Sequence, residues 1–124
     1  AKYFGKDCKV IGGEPFEVDD AYRSLKSGKI ETNVTTNTIA DGLKTQLGDI
    51  NFPIIKKNVE KIIRVTENEI ILSLRLIWER LKIICEPSCA VALAALIREK
   101  KDFKNKRIGI IISGGNVDLS KLPF

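Results

Sequence analysis

The run RIGIIIS, residues 107–113, limits the fold more than any other stretch of this chain. It is apolar and β-favouring almost throughout, so as a strand it has no polar face to give to water. That pattern belongs to a strand covered on both sides, as in the parallel sheet of an α/β domain. The run empties into Ser113-Gly114-Gly115-Asn116. A plain turn needs one glycine. Two glycines between small polar side chains point to backbone that something must approach closely. In α/β sheets, ligands bind beyond the carboxyl ends of the strands. Residues 113–116 lie at such an end, and so does Glu14 after the run VIGGE.

The rest of the chain reads as alternating strands and helices. CKVIGGE (8–14) and KIIRVT (61–66) predict strands. DDAYRSLKSGK (19–29) predicts a helix closed by Gly28, and NFPIIKKNVE (51–60) a short helix with Pro53 in its first turn. Residues 30–42 are loop-like, with Thr and Asn favouring turns. Thr66 opens a capping box with Glu69. Ile70, Ile71, Leu74, Ile77, Trp78 and Leu81 then follow at helical spacing as one apolar face. Pro87 suits the first position of the next helix. Its run CAVALAALI (89–97) is small and apolar on all sides, which predicts a buried helix in close contact with its neighbours.

Length and composition exclude several classes. The 124 residues amount to one domain. The net charge of +5 comes from lysines mixed with Asp and Glu, and no basic run is interleaved with aromatics. That argues for a solvated basic face and against nucleic acid. No apolar run approaches the roughly 18 residues of a membrane span, and no signal-peptide pattern opens the chain. Three cysteines, Cys8, Cys85 and Cys89, without a secretory signal point to a reducing compartment, the cytoplasm. A zinc site at Cys85 and Cys89 would need two further ligands, and the chain has no histidine. Those two read as buried free thiols.

Six blocks carry a resemblance: VIGGEP (10–15), DD (19–20), TIADGLKTQLG (38–48), VTENEI (65–70), WERLKIICEPSCAVALAAL (78–96) and NKRIGIIISGGNVDL (105–119). In this order and spacing they resemble the C-terminal part of eukaryotic-type serine racemases and the similar serine/threonine dehydratases. These are pyridoxal-phosphate enzymes of fold type II, the tryptophan synthase β-like class. The resemblance covers essentially the whole chain. It implies an α/β fold in which residues 1–124 form the C-terminal portion of the large domain, a mostly parallel sheet flanked by helices.

The resemblance also implies roles. Ser113 matches the serine that hydrogen-bonds the pyridine nitrogen of the cofactor. A hydroxyl is neutral and cannot hold that nitrogen protonated as a carboxylate would. The milder electron sink suits β-elimination and racemization of hydroxy amino acids. Gly114 lets the loop pass close to the ring, Gly42 lies beside it, and Glu86 and Asn116 adjoin it. Asp41 and Thr45 fall on the substrate side. Glu14, Asp20 and the main-chain carbonyl of Val18 match a divalent-cation site, and hard oxygen ligands suit Mg²⁺ or Ca²⁺. The family usually has a smaller residue at Val18. Without the resemblance, Glu17, Asp19 and Asp20 read as acids favoured at a helix start, and Glu86 in the same way. Lys82 and Asn116 match positions that contact ATP in animal serine racemase.

Two family features have no counterpart in these residues. One is the Schiff-base lysine, which sits in a Ser-x-Lys context. The other is the glycine-rich loop that cradles the cofactor phosphate. Ala1-Lys2-Tyr3-Phe4 reads as the tail of the helix that follows that loop. In this family covalent catalysis needs an amine to form the aldimine with the cofactor and to move the α-proton, and phosphate anchoring needs N–H groups at a helix N-terminus. The expectation is a chain inactive alone, partnered by the N-terminal remainder of the same enzyme, with the complete enzyme a homodimer acting on a small amino acid. A split enzyme, a solitary fragment and a truncated relative acting as a small ligand-binding or interaction protein all remain open. The chain ends soon after SGGN, without the regulatory domain of biosynthetic threonine dehydratases. That favours a racemase-like enzyme or a catabolic dehydratase.

Overall fold

A computed structural model of the chain describes residues 3–5 and 7–124. Two strands, β1 (Val10–Pro15) and β2 (Val59–Val65), pair in parallel from Ile11↔Lys61 to Pro15↔Val65. A parallel pair needs a crossover, and α1 (Asp20–Ser27) and α2 (Asn51–Asn58) lie within it. Gly28 ends α1 in the left-handed region at φ 79°, and its N–H donates to the Ser24 carbonyl.

After β2 comes α3 (Glu67–Leu76), opened by the capping box. Thr66 Oγ1 accepts from the Glu69 N–H at 3.3 Å, and Glu69 Oε2 accepts from the Thr66 N–H at 2.7 Å. The same Glu69 pairs with Arg98 at the end of α4 (Pro87–Arg98) at 2.7 Å. One side chain thus caps one helix and ties it to the next. The core gathers Ile63 and Val65 from β2, Ile70 and Leu74 from α3, and Val91 and Ala94 from α4.

The small residues of α4 let it lie close against the sheet. A Cβ on Gly13 in β1 would stand 2.9 Å from the Val91 carbonyl oxygen and 3.2 Å from the Ala95 Cβ. Strand and helix therefore touch backbone to backbone at this point, which fixes where the first turn of α4 sits.

The structure departs from the sequence reading in five places. β1 begins at Val10, leaving Cys8 exposed beyond it. β2 begins at Val59, and α2 ends accordingly at Asn58. The helix predicted to reach Leu81 changes to a π turn over Ile77–Leu81, closed by Lys82 at φ 58°. The wider turn takes Leu81 out of the apolar stripe, leaving it 57% exposed. Trp78 meanwhile donates its Nε1–H to the Cys85 carbonyl at 3.0 Å.

The largest departure is the run 107–113, which is no strand. Among the described residues the sheet has two strands, and this segment pairs with neither. Ile112 packs on the core while Ile111 is 82% exposed. Apolar patterning reports the cover a segment suits. The hydrogen-bonding edge must come from another strand. At the start of the chain, Tyr3 and Phe4 lie in a turn rather than a helix tail, and Ala1 and Lys2 fall outside the described residues. Among those residues no helix is long and apolar enough to cross a membrane.

The Gly13 contact yields a test. Gly13→Ala forces β1 and α4 apart and should lower stability by about 1–3 kcal/mol, read as a reduced urea midpoint. An unchanged midpoint would mean that α4 is not held at this distance.

Candidate functional site

Among the described residues, five hydrogen bonds join the start of α4 to the 113–116 loop. The Glu86 N–H donates to the Gly114 carbonyl at 3.1 Å. Glu86 Oε2 accepts from the Asn116 N–H at 3.1 Å. Cys89 Sγ accepts from the Gly114 N–H at 3.0 Å and lies 3.2 Å from the Gly114 carbonyl as donor. The Ser113 hydroxyl stands 3.7 Å from the same sulfur. Ser113 itself is exposed.

The two glycines are required by proximity. Neither has a positive φ. A Cβ on Gly114 would stand 2.8 Å from the Glu86 carboxylate, and one on Gly115 3.0 Å from the Ile84 carbonyl oxygen. The groups pressing on both glycines are the chain's own.

A third segment joins this cluster. Gly42 lies in a 3₁₀ turn, Asp41–Leu43. Its N–H donates to Ser88 Oγ at 3.0 Å and to its neighbour's Asp41 Oδ1 at 2.9 Å. A Cβ there would stand 3.0 Å from Ser88 Oγ and 3.8 Å from Glu86 Oε1. Upstream, the Ile39 N–H donates to Glu67 Oε2 at 2.8 Å, which anchors the loop to the start of α3.

The fold thus brings Ser113, Gly114, Asn116, Gly42, Asp41 and Glu86 to one place. Thr45 is exposed, and its carbonyl accepts from Asn33 Nδ2 at 3.4 Å, with no described bond to the 113–116 loop. Lys82 is exposed, and its N–H donates to the Trp78 carbonyl at 3.2 Å at the close of the π turn. Sequence reasoning missed Ser88 and Cys89 as the residues that hold two loops together. The available signal was their place in the first turn of a helix beginning at Pro87.

Glu14, Asp19 and Asp20 form a buried acidic group where β1 meets α1. Asp19 is neutralised: Arg23 reaches it at 2.6 Å and Arg64 at 2.9 Å. Burial pushes its carboxyl up, but these two guanidinium groups outweigh it and hold the pKa below the usual range. Glu14 is held differently. Its Oε1 accepts from the Ala21 N–H at 3.1 Å and its Oε2 from the Tyr22 N–H at 2.9 Å. Burial still pushes it up to about 7, with Asp20 and Asp19 adding repulsion.

Asp20 Oδ1 accepts from Asn33 Nδ2 at 2.9 Å and Oδ2 from the Leu47 N–H at 2.8 Å. Val18 is fully buried beside them. Among the described residues no salt bridge reaches Glu14 or Asp20. Nor do three or more His, Cys, Asp or Glu side chains gather there as a metal set.

The comparisons identify the family. The sequence profile described as pyridoxal-phosphate dependent enzyme matches residues 1–114. Serine racemase of Dictyostelium discoideum is 52% identical over 126 residues, covering 98% of this chain and 39% of that protein. The chain belongs to the pyridoxal-phosphate-dependent enzymes. A second relative, the beta-hydroxyaspartate dehydratase of Paracoccus denitrificans, is 43% identical and covers 95% of this chain and 38% of its own length. Among solved structures, maize serine racemase superposes with a TM-score of 0.91 at 38% identity, covering 98% of this chain and 39% of that one.

The chain therefore spans about two-fifths of the length of these relatives, at 39% and 38%. Its architecture is the α/β fold of the type II enzymes, with a parallel sheet and packed helices. The 113–116 loop fits a pyridoxal-phosphate ring. Ser113 offers an exposed hydroxyl, a neutral donor that a pyridine nitrogen can accept. The adjoining loop is pinned by Glu86 and Cys89 rather than free to drift.

Proposed function

We propose that this chain is the ring-nitrogen-binding part of a pyridoxal-phosphate-dependent serine racemase or serine/threonine dehydratase. The reaction is α,β-elimination of L-serine or L-threonine to the 2-oxo acid and ammonia, or racemization of serine, or both. One observation carries the reading: the exposed Ser113 hydroxyl on a loop pinned to the start of α4. The relatives are named for serine and beta-hydroxyaspartate, amino acids that share a hydroxyl on the β-carbon.

Bound pyridoxal phosphate supplies an electron sink for the bonds at the substrate α-carbon. The residues of this chain tune and seat it. Ser113 donates to the ring nitrogen without holding a proton on it. Gly114 and Asn116 keep the loop in register through Glu86. The Gly42 backbone, seated by Ser88, borders the ring. Asp41 and Thr45 line the substrate side, and Lys82 with Asn116 would meet ATP. The lysine and the phosphate loop would come from the N-terminal remainder of the enzyme. The chain alone would then be inactive, and the complete enzyme a cytoplasmic homodimer.

Glu14, Asp20 and the Val18 carbonyl would hold Mg²⁺ or Ca²⁺. Support comes from two buried carboxylates that no described salt bridge reaches, one of them raised to about 7. The bonds from Asn33 and Leu47 to Asp20 would link that cation to the segment carrying Thr45.

Two experiments test this. In the full-length enzyme, Ser113→Ala should weaken cofactor binding about tenfold, change the absorbance of the bound cofactor and lower turnover of L-serine. An unchanged spectrum and rate would overturn the assignment.

The second concerns pH. Glu14 binds its proton more tightly folded than unfolded, so in chelator stability should fall as pH rises from 4.5 to about 7. Mg²⁺ should remove that fall, and Glu14→Gln should lack both the fall and the Mg²⁺ response. A wild-type urea midpoint indifferent to Mg²⁺ would reject the cation site.

A further inference from the structure

We propose that Cys89 is a positioning residue for the cofactor, its thiol setting where Ser113 presents its hydroxyl. The proposal rests on the reading of Ser113 as the partner of the pyridine nitrogen.

The geometry is specific. Cys89 is 4% exposed, in the first turn of α4. Its sulfur meets both backbone groups of Gly114, accepting from the N–H at 3.0 Å and facing the carbonyl at 3.2 Å. The Gly114 N–H belongs to the peptide unit that begins at Ser113. Holding that N–H fixes one of the two peptide planes that meet at the Ser113 Cα, where the side chain departs. The hydroxyl itself lies 3.7 Å from the sulfur.

On another side, Gly114 is walled by the Glu86 carboxylate, 2.8 Å from where a Cβ would stand. No side chain fits between Gly114 and Glu86, and Cys89 bonds both backbone groups of the same residue. A thiol that merely filled the core would leave these two groups unbonded by it. Here it is a weak donor and acceptor used in both senses.

The test is made on the full-length enzyme by titrating pyridoxal phosphate into the cofactor-free protein and following absorbance. Cys89→Ala should weaken affinity about tenfold and shift the bound-cofactor band. Cys89→Ser keeps a donor and an acceptor and should stay within about threefold of wild type. On a Ser113→Ala background, Cys89→Ala should add less than about twofold, because both act through one contact.

Cys89→Val fills the space without either bonding function. It should behave as Cys89→Ala does and serves if the alanine variant fails to fold. Unchanged affinity in the alanine and valine variants, or the same loss on both backgrounds, would overturn the proposal. If Ser113→Ala alone leaves affinity unchanged, the reading of Ser113 fails, and this proposal fails with it.

Discussion

At the start of α4, the Glu86 carboxylate lies 2.8 Å from where a Gly114 Cβ would stand, and the Cys89 sulfur lies 3.0 Å from the Gly114 nitrogen. The loop that offers Ser113 has no sheet to hold it, since residues 107–113 pair with neither strand. Its described hydrogen bonds to the rest of the fold run to that one helical turn. The site is therefore as well placed as the first turn of α4.

That turn is placed by packing at a distance. Gly13 and the small residues of α4 set the helix against β1. Glu69 caps α3 and pairs with Arg98, fixing α4 at its other end. Ser88, one residue before Cys89, holds the Gly42 N–H and so brings in a segment 46 residues away in sequence. A rigid helix start thus orders two loops that otherwise have little regular structure. Sites built in this way keep their geometry because the supporting elements cannot shift independently.

The sequence made the local elements legible. The capping box at Thr66, the Gly28 stop and Pro87 at a first helical position all appear as read. Each depends on neighbours within a few residues. The long-range features were not legible in the same way. The apolar run 107–113 carried the pattern of a covered strand, but no pattern can state whether a pairing edge stands beside it. The π turn at Ile77–Leu81 carries Trp78, whose ring N–H reaches across to the Cys85 carbonyl. Spacing along α3 could not contain that.

At the start of α1 the sequence set Glu14 and Asp20 apart only through the resemblance, and read Asp19 as one of three helix-start acids. The fold gives Arg23 and Arg64 to Asp19 and leaves Glu14 and Asp20 to backbone and amide donors. Cys89 read as a buried thiol, which it is, but its bonds to Gly114 are tertiary.

The central claim is that a neutral hydroxyl, held in place by α4, meets the cofactor's ring nitrogen. The most direct measurement is the ¹⁵N chemical shift of the pyridine nitrogen in pyridoxal phosphate bound to the full-length enzyme. The account predicts the shift of an unprotonated, hydrogen-bonded pyridine that moves on Ser113→Ala. A pyridinium shift, or one indifferent to that substitution, would contradict it.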